Sequence, residues 1–439
     1  MRATKVVVVG AGSASFGPRI IADVLTHPDL KGSTLSLVDI AQKGLRLIAG
    51  LARRMNAEWG GGVKIEATVD RKRALPEAEF VIVAIALERE KRWRMDWEIP
   101  LEHGLRQPLG ENGGPAAFVH AARNIPPVLE ICADMRKLCP DAWFFNFTNP
   151  VPRIALTAYK YGGVKAAGFC HQIGAAFRNI SHLLNVPRED LDLKTAGLNH
   201  FTWVLDVRRK SSGANLYPAL RRRLKNWPED FQPLTRDVFQ DVGLFPVGGD
   251  THMSEYLPWV CDPRTKPWEK YNLHLYNWEG AEKGRDRMWK RIEKMVAGKE
   301  PIDEYHSGSG ERAVPVLVAI VKDSNSYELS VNIPNEGYIT NLPCGSIVEV
   351  PAVASGMGIR GVAIGDLPEP AAELCRRQVA VAELAVEAAV KGDRTKALQA
   401  LLLDPMITDV QQARGLLDDY LKAHAPLLPQ FRRARRRGG

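Results

Sequence analysis

The stretch Lys5-Val6-Val7-Val8-Val9-Gly10-Ala11-Gly12 constrains the fold more than any other part of this chain. A continuous β-branched run has no polar face, as a strand buried inside a two-sided parallel sheet requires. Glycines at its end let the backbone turn sharply into a helix, and the apolar-periodic segment through Leu25 is read as that helix. A second strand, Leu35 to Val38, ends at Asp39. Strand, glycine turn, helix, strand and terminal acid in this order predict a dinucleotide cradle. Gly12 lets a pyrophosphate approach the helix N-terminus, and Asp39 can accept from both ribose hydroxyls, which favours NAD over NADP. Gly10, Gly12, Ser13, Ser15, Phe16 and Asp39 are the candidate cofactor-binding residues, with Ser15 where the third glycine of G-x-G-x-x-G would stand. The competing reading is a tight turn without a nucleotide.

Further strands are expected at Phe80 to Leu87, at Ala142 to Phe147 before Asn149-Pro150, and at Val164 to Phe169 before Cys170. Strands alternating with helices imply a doubly wound parallel sheet, whose ligand crevice lies at the carboxyl ends of its strands. Asp39, Asn149 and Cys170 all fall at such ends. Beyond Lys194 the character changes. Thr195 to Val207 reads as one strand containing Asn199-His200. Val314 to Ile320, Tyr327 to Val331 and Ile347 to Val350 read as strands, and Pro368 to Ala400 and Leu416 to Leu421 as helices. The expected fold is α/β: a Rossmann-type doubly wound sheet over residues 1–194, a C-terminal α+β domain over 195–430, and a disordered basic tail, 431–439.

Six scattered cysteines in 439 residues, with no C-x-x-C pair, make no disulfide scaffold and point to a reducing cytoplasm. The chain enters a strand almost at once, so no secretory signal is expected. No apolar stretch reaches the length of a membrane span. Five of the net +8 charges come from Arg432, Arg433, Arg435, Arg436 and Arg437. Terminal charge runs are commonly solvated, and neither nucleic-acid nor membrane binding is expected.

Cys170-His171 and, thirty positions on, Asn199-His200 bring a thiol and imidazoles to the end of a sheet strand. Thiolate and neutral imidazole suit a borderline-soft divalent cation, and two protein ligands leave positions open for sugar hydroxyls and water. Buried core residues are the alternative. Asp250, in Gly248-Gly249-Asp250-Thr251-His252-Met253-Ser254-Glu255-Tyr256, is a candidate general base, or else a helix cap. Asn149 could hold substrate hydroxyls or the nicotinamide ribose, or mark a turn. The loop Glu111-Asn112-Gly113-Gly114-Pro115 could contact a sugar or simply turn.

Together these residues resemble glycoside hydrolase family 4, the NAD- and divalent-metal-dependent glycosidases. The resemblance runs in order from the glycine loop through Asn146 to Pro150, Cys170-His171, Asn199-His200, Asp250 to Pro258, Ser309 to Arg312, Asn332 to Gly337 and Asp404-Pro405. It implies a fold shared with lactate and malate dehydrogenases, and a homodimer or homotetramer. It also implies hydrolysis outside the two-carboxylate scheme. NAD+ oxidises C3 of the sugar, a base removes the acidified C2 proton, the glycosidic oxygen leaves, water adds, and the hydride returns. The metal, Mn2+ or another divalent cation, is then held by Cys170 and His200. Asp250 is the implied C2 base, with Tyr256 as the weaker candidate. His171 protonates the leaving oxygen or binds substrate, and Glu111, Asn149 and Arg312 complete the substrate contacts. A histidine after the metal cysteine implies an unphosphorylated α-glycoside. Gln172 leaves the sugar open, so an α-uronide is an alternative, as is a 2-hydroxy-acid dehydrogenase on the same fold.

Overall fold

The computed structural model describes residues 1–434. Six parallel strands form its first half: β1 (Lys5–Val9), β2 (Thr34–Val38), β3 (Lys64–Thr68), β4 (Phe80–Val83), β5 (Trp143–Asn146) and β6 (Lys165–Gly168). Their spatial order, β3-β2-β1-β4-β5-β6, reverses between β1 and β4, the place where a dinucleotide crosses a doubly wound sheet. The residues of β1 are almost wholly buried, with Val7 and Val8 at 0 % exposure, as the all-apolar run predicts.

The sheet does not stop at β6. Asn332 of β10 (Ser326–Pro334) pairs antiparallel with Gly168, and β11 (Ile347–Ser355), β7 (Leu191–Leu198), β8 (Phe201–Arg209) and β9 (Phe245–Pro246) extend it. β12 (Gly358–Gly361) pairs with β11. The change from parallel to antiparallel pairing therefore occurs within one continuous sheet of twelve strands among the described residues. Asp96 is fully buried and ties its helix to two other segments: on helix Gly114–Leu138 Arg123 donates at 2.6 Å and His120 lies at 3.1 Å, and His424 lies at 3.1 Å.

Five sequence expectations change. Thr195 to Val207 is not one strand: Leu198 pairs with Phe201, so Asn199-His200 is the two-residue turn of a β7–β8 hairpin. His200 takes a left-handed φ of +62° there. Val314 to Ile320 lies in the helix Ala313–Lys322; a short all-apolar run has no periodicity with which to distinguish a buried helix from a buried strand. Helix Glu369–Lys391 ends at Gly392, φ +71°, and Asp393 caps a separate helix, Arg394–Leu403. β4 stops at Val83, and Ala84 to Leu87 is loop. Helix Pro429–Ala434 takes up the start of the tail; Arg435, Arg436 and Arg437 lie outside the described residues.

Candidate functional site

The glycine loop is built by close approach. A side chain on Gly10, whose φ is +91°, would fall 2.2 Å from the carbonyl oxygen of Ala84, so the end of β4 leaves space only for a bare Cα. The packing role of the third glycine belongs to Gly17, not to position 15. Gly17 opens helix Gly17–Thr26, and a Cβ there would lie 2.3 Å from the Ala11 carbonyl. The Asp39 carboxylate ends β2 and accepts from the Gly12 N–H at 2.8 Å and the Ala41 N–H at 2.7 Å. Each of its oxygens keeps a further lone pair with which it could accept. Ser13 and Ser15 hydroxyls sit 3.3 Å apart on the loop, and Phe16 packs on Phe147 at 5.0 Å. Asn149 is half-buried just past β5, on the same edge.

The sheet extension brings the two metal candidates together. Cys170 follows β6, His200 sits on the hairpin turn, and Cys170 Sγ lies 3.5 Å from His200 Nε2. The turn is pinned by Gln172, whose Oε1 accepts from the His200 N–H at 2.6 Å. Asn199 donates to Glu349 at 2.7 Å, which holds the turn against β11. Burial, reinforced by the Glu311 and Glu349 carboxylates, pushes the Cys170 thiol well above its ordinary range. Burial and the neighbouring His252 lower the proton affinity of His200 and keep its imidazole neutral. A half-buried thiol among carboxylates, next to an imidazole of lowered proton affinity, is a donor set that a divalent cation would suit.

Glu255 is the residue that the sequence reading missed. It is fully buried, and its Oε2 accepts from the N–H groups of Glu111, Asn112 and Gly113 at 2.8, 2.8 and 3.2 Å. Its Oε1 lies 3.3 Å from His252 Nδ1 and 4.0 Å from His200 Nδ1. Burial alone would raise its pKa, but the two imidazoles and their hydrogen bonds hold it well below the usual carboxylate range. A lone glutamate in the first turns after Asp250 carries no such signal in the sequence. The contacts are made by a loop some 140 residues earlier in the chain.

His171 is largely exposed, and its Nδ1 lies 2.7 Å from Glu311, whose side chain is only 9 % exposed. The Glu311 hydrogen bond raises the histidine's pKa. Arg312 is spent elsewhere: its fork donates to Glu328 at 2.8 and 2.9 Å. Glu111 is mostly buried, with Arg89 at 4.0 Å.

Asp250 is held by a neighbouring helix. Its two oxygens accept from the Leu234 and Thr235 N–H groups at 3.0 and 2.7 Å, capping helix Pro233–Val242 rather than its own. Burial raises its pKa against those hydrogen bonds. The Tyr256 hydroxyl donates to the Asn199 carbonyl at 3.2 Å, and its ring stacks on Phe201 at 4.6 Å. Burial, with the Glu255 charge beside it, lifts this phenol well above its ordinary value.

The chain matches two family models in succession: family 4 glycosyl hydrolase over residues 5–186, and the family 4 glycosyl hydrolase C-terminal domain over residues 195–407. It is 32% identical to an α-glucosidase of Erwinia rhapontici, covering 97% of this chain and 99% of that one. It is 28% identical to an α-galactosidase of Bacillus subtilis, over 98% of this chain and 100% of the relative. An α-galacturonidase of Thermoanaerobacterium saccharolyticum is also 28% identical, over 94% of each chain. Among solved structures, a Bacillus subtilis protein provisionally assigned as a glucosidase superposes with a TM-score of 0.87 at 25% identity, over 96% of this chain and 100% of that one. A 6-phospho-α-glucosidase from gut microorganisms, in complex with NAD and Mn2+, has a TM-score of 0.82 at 23% identity, over 98% of this chain and 100% of that one. Malate dehydrogenase of Cryptosporidium parvum shares the fold at a TM-score of 0.54 and 19% identity, over 89% of this chain and 99% of that one. These matches, spanning both halves of the sheet and the hairpin that joins Cys170 to His200, place the chain in glycoside hydrolase family 4.

Proposed function

We propose that the protein hydrolyses an unphosphorylated α-glycoside with NAD+ and a divalent cation, Mn2+ being the first candidate. The observation that carries this reading is the approach of Cys170 Sγ to His200 Nε2, 3.5 Å apart, at the carboxyl edge of a sheet whose glycine loop and Asp39 fit a dinucleotide. Residues 1–194 hold the cofactor through Gly10, Gly12, Ser13, Ser15, Phe16 and Asp39; residues 195–430 bring His200 and the substrate walls. When bound, the cofactor and the cation supply a hydride acceptor and a Lewis acid to neighbouring carbons of one sugar. The chain's own residues do the rest. Cys170 and His200 hold the cation, Asn149 and Glu111 orient the sugar, Asp250 takes the C2 proton, and His171 gives a proton to the departing glycosidic oxygen. A histidine whose proton affinity is raised by Glu311 suits that last task.

An α-uronide is the second substrate reading. Arg89 stands at the Glu111 loop, 4.0 Å from its carboxylate, and offers a cation to a uronate. Family membership removes the 2-hydroxy-acid dehydrogenase alternative. A screen of nitrophenyl α- and β-glycosides and uronides with NAD+, Mn2+ and a reductant tests the proposal. Nitrophenol release without net NADH, abolished by a chelator and restored by Mn2+, is expected. Net NADH formation with no glycoside cleaved would overturn it.

The His171–Glu311 pair gives a second expected result. The raised pKa keeps the acid form at higher pH, and activity falls as pH rises through it. Glu311→Gln removes the carboxylate, so at saturating Mn2+ the alkaline limb of the kcat profile should move to lower pH. An unchanged alkaline limb would exclude His171 as the acid.

A further inference from the structure

His200 presents its two ring nitrogens to two different sets of groups. Nε2 faces the Cys170 sulfur, while Nδ1 faces Glu255 and, across a 4.0 Å ring-to-ring contact, His252. The second set is also a plausible ligand trio by spacing: one ligand atom each of His200, His252 and Glu255 lies within 4.8 Å of the others. A neutral imidazole carries one proton, so only one nitrogen has a lone pair for a cation. The two sets therefore exclude each other as metal sites built on His200.

The Glu255 carboxylate indicates which set is used. Its Oε2 is committed to three N–H groups of the loop at residues 111–113 and is held there in a nest of amides. That leaves Oε1 as the acceptor turned to the imidazoles. His200 Nδ1 is buried, lies 4.0 Å from Oε1, and has no hydrogen-bond partner. An Nδ1–H turned to Oε1 would leave the Nε2 lone pair on the side of Cys170. We propose that Glu255 is the positioning residue of this site: it accepts the Nδ1–H of His200, so that Nε2 and Cys170 Sγ take the metal, and the same carboxylate ties the substrate loop at Glu111 to the metal centre. The role rests on the metal reading above. Carboxylates in this position fix the tautomer and ring orientation of a metal-ligating histidine, and removing them typically weakens metal affinity about 10- to 100-fold.

The test uses Co2+ as a spectroscopic stand-in, titrated into the full-length protein as wild type, Glu255→Gln and Cys170→Ser. Glutamine keeps an oxygen for the loop N–H groups, so the loop stays anchored, but its NH2 cannot accept from His200. Thermal unfolding is followed alongside to confirm that each variant is folded. The expected result is a thiolate-to-Co2+ charge-transfer band in the wild type. Glu255→Gln should keep that band with affinity about 10- to 100-fold weaker, and its hydrolytic activity should recover when Mn2+ is raised in proportion. A purely structural role for Glu255 would lower stability without this rescue by metal. Unchanged Co2+ affinity in Glu255→Gln would overturn the inference while leaving the Cys170–His200 site standing. Wild-type Co2+ affinity in Cys170→Ser, with binding lost in Glu255→Gln, would overturn both and place the metal in the His200–His252–Glu255 set.

Discussion

Replacing Cys170 with serine is expected to lower hydrolysis about a thousandfold at sub-saturating Mn2+, since Lewis-acid stabilisation is worth several kcal/mol and each ~1.4 kcal/mol is tenfold in rate. Serine is nearly isosteric, so the turn, Gln172 and the sheet should keep their places. What changes is the donor. A thiol can ionise against a divalent cation, whereas an alcohol does so only reluctantly, and a hard oxygen suits a borderline-soft ion less well. Metal binding is expected to depend on pH in a specific direction. Burial and the Glu311 and Glu349 carboxylates raise the thiol's pKa, so the cation must displace a proton to bind. Below that raised pKa, affinity should climb about tenfold for each unit of rising pH, the slope of one displaced proton. Calorimetric titration of Mn2+ at several pH values checks this. Serine should flatten the slope, and a slope equally steep in Cys170→Ser would assign the displaced proton to another group.

Much of this arrangement was legible in the chain, for reasons that differ by residue. The β1 run, the glycine loop and Asp39 are local signals: each acts on its near neighbours, so order along the chain is order in space. The Cys170–His200 pair is not local: Cys170 reads as standing just past a strand, but His200 reads as lying inside one, and the family resemblance rather than spacing joined the two. Other elements gave no such signal. Asn199-His200 is a turn in the middle of what reads as a single apolar strand, and only the antiparallel partner β8 shows where the chain reverses. The helix Ala313–Lys322 is apolar throughout up to Lys322 and therefore has no polar stripe to set its period. Gly17 takes the third-glycine role because the loop is two residues longer than the motif assumes, and that length is visible only once Ala11 and Gly17 touch. Glu255 and Glu311 were passed over because a carboxylate's partners lie far away in sequence. His171 lies 140 positions from Glu311, and the loop at Asn112 lies 143 from Glu255.

The choice of C2 base carries the other large expected effect, and the two proposed candidates differ in the direction from which burial moves their proton affinity. A base must be ionised before it can accept. Burial pushes the Tyr256 phenol well above its ordinary value of 10.0, so phenolate is scarce at neutral pH. Burial also raises Asp250, but from a carboxylate's starting point, and raising a base's pKa towards neutrality strengthens it. Its two oxygens accept one N–H each from helix Pro233–Val242, which fixes the group and leaves each oxygen a second lone pair. Asp250→Asn is therefore expected to lower kcat about 100- to 10,000-fold, the usual worth of a general base. An asparagine oxygen still caps the helix in part, so stability should fall by only about 1 kcal/mol, and NAD+ and Mn2+ binding should persist. Tyr256→Phe removes one hydrogen bond to the Asn199 carbonyl, worth about 1 kcal/mol, and should cost a few-fold at most. Substrate deuterated at C2 sharpens the comparison. Its isotope effect on kcat should grow in Asp250→Asn, where proton removal becomes the slowest step, and stay at the wild-type value in Tyr256→Phe. The reverse pattern would transfer the base role to Tyr256 and leave Asp250 as the cap of the neighbouring helix.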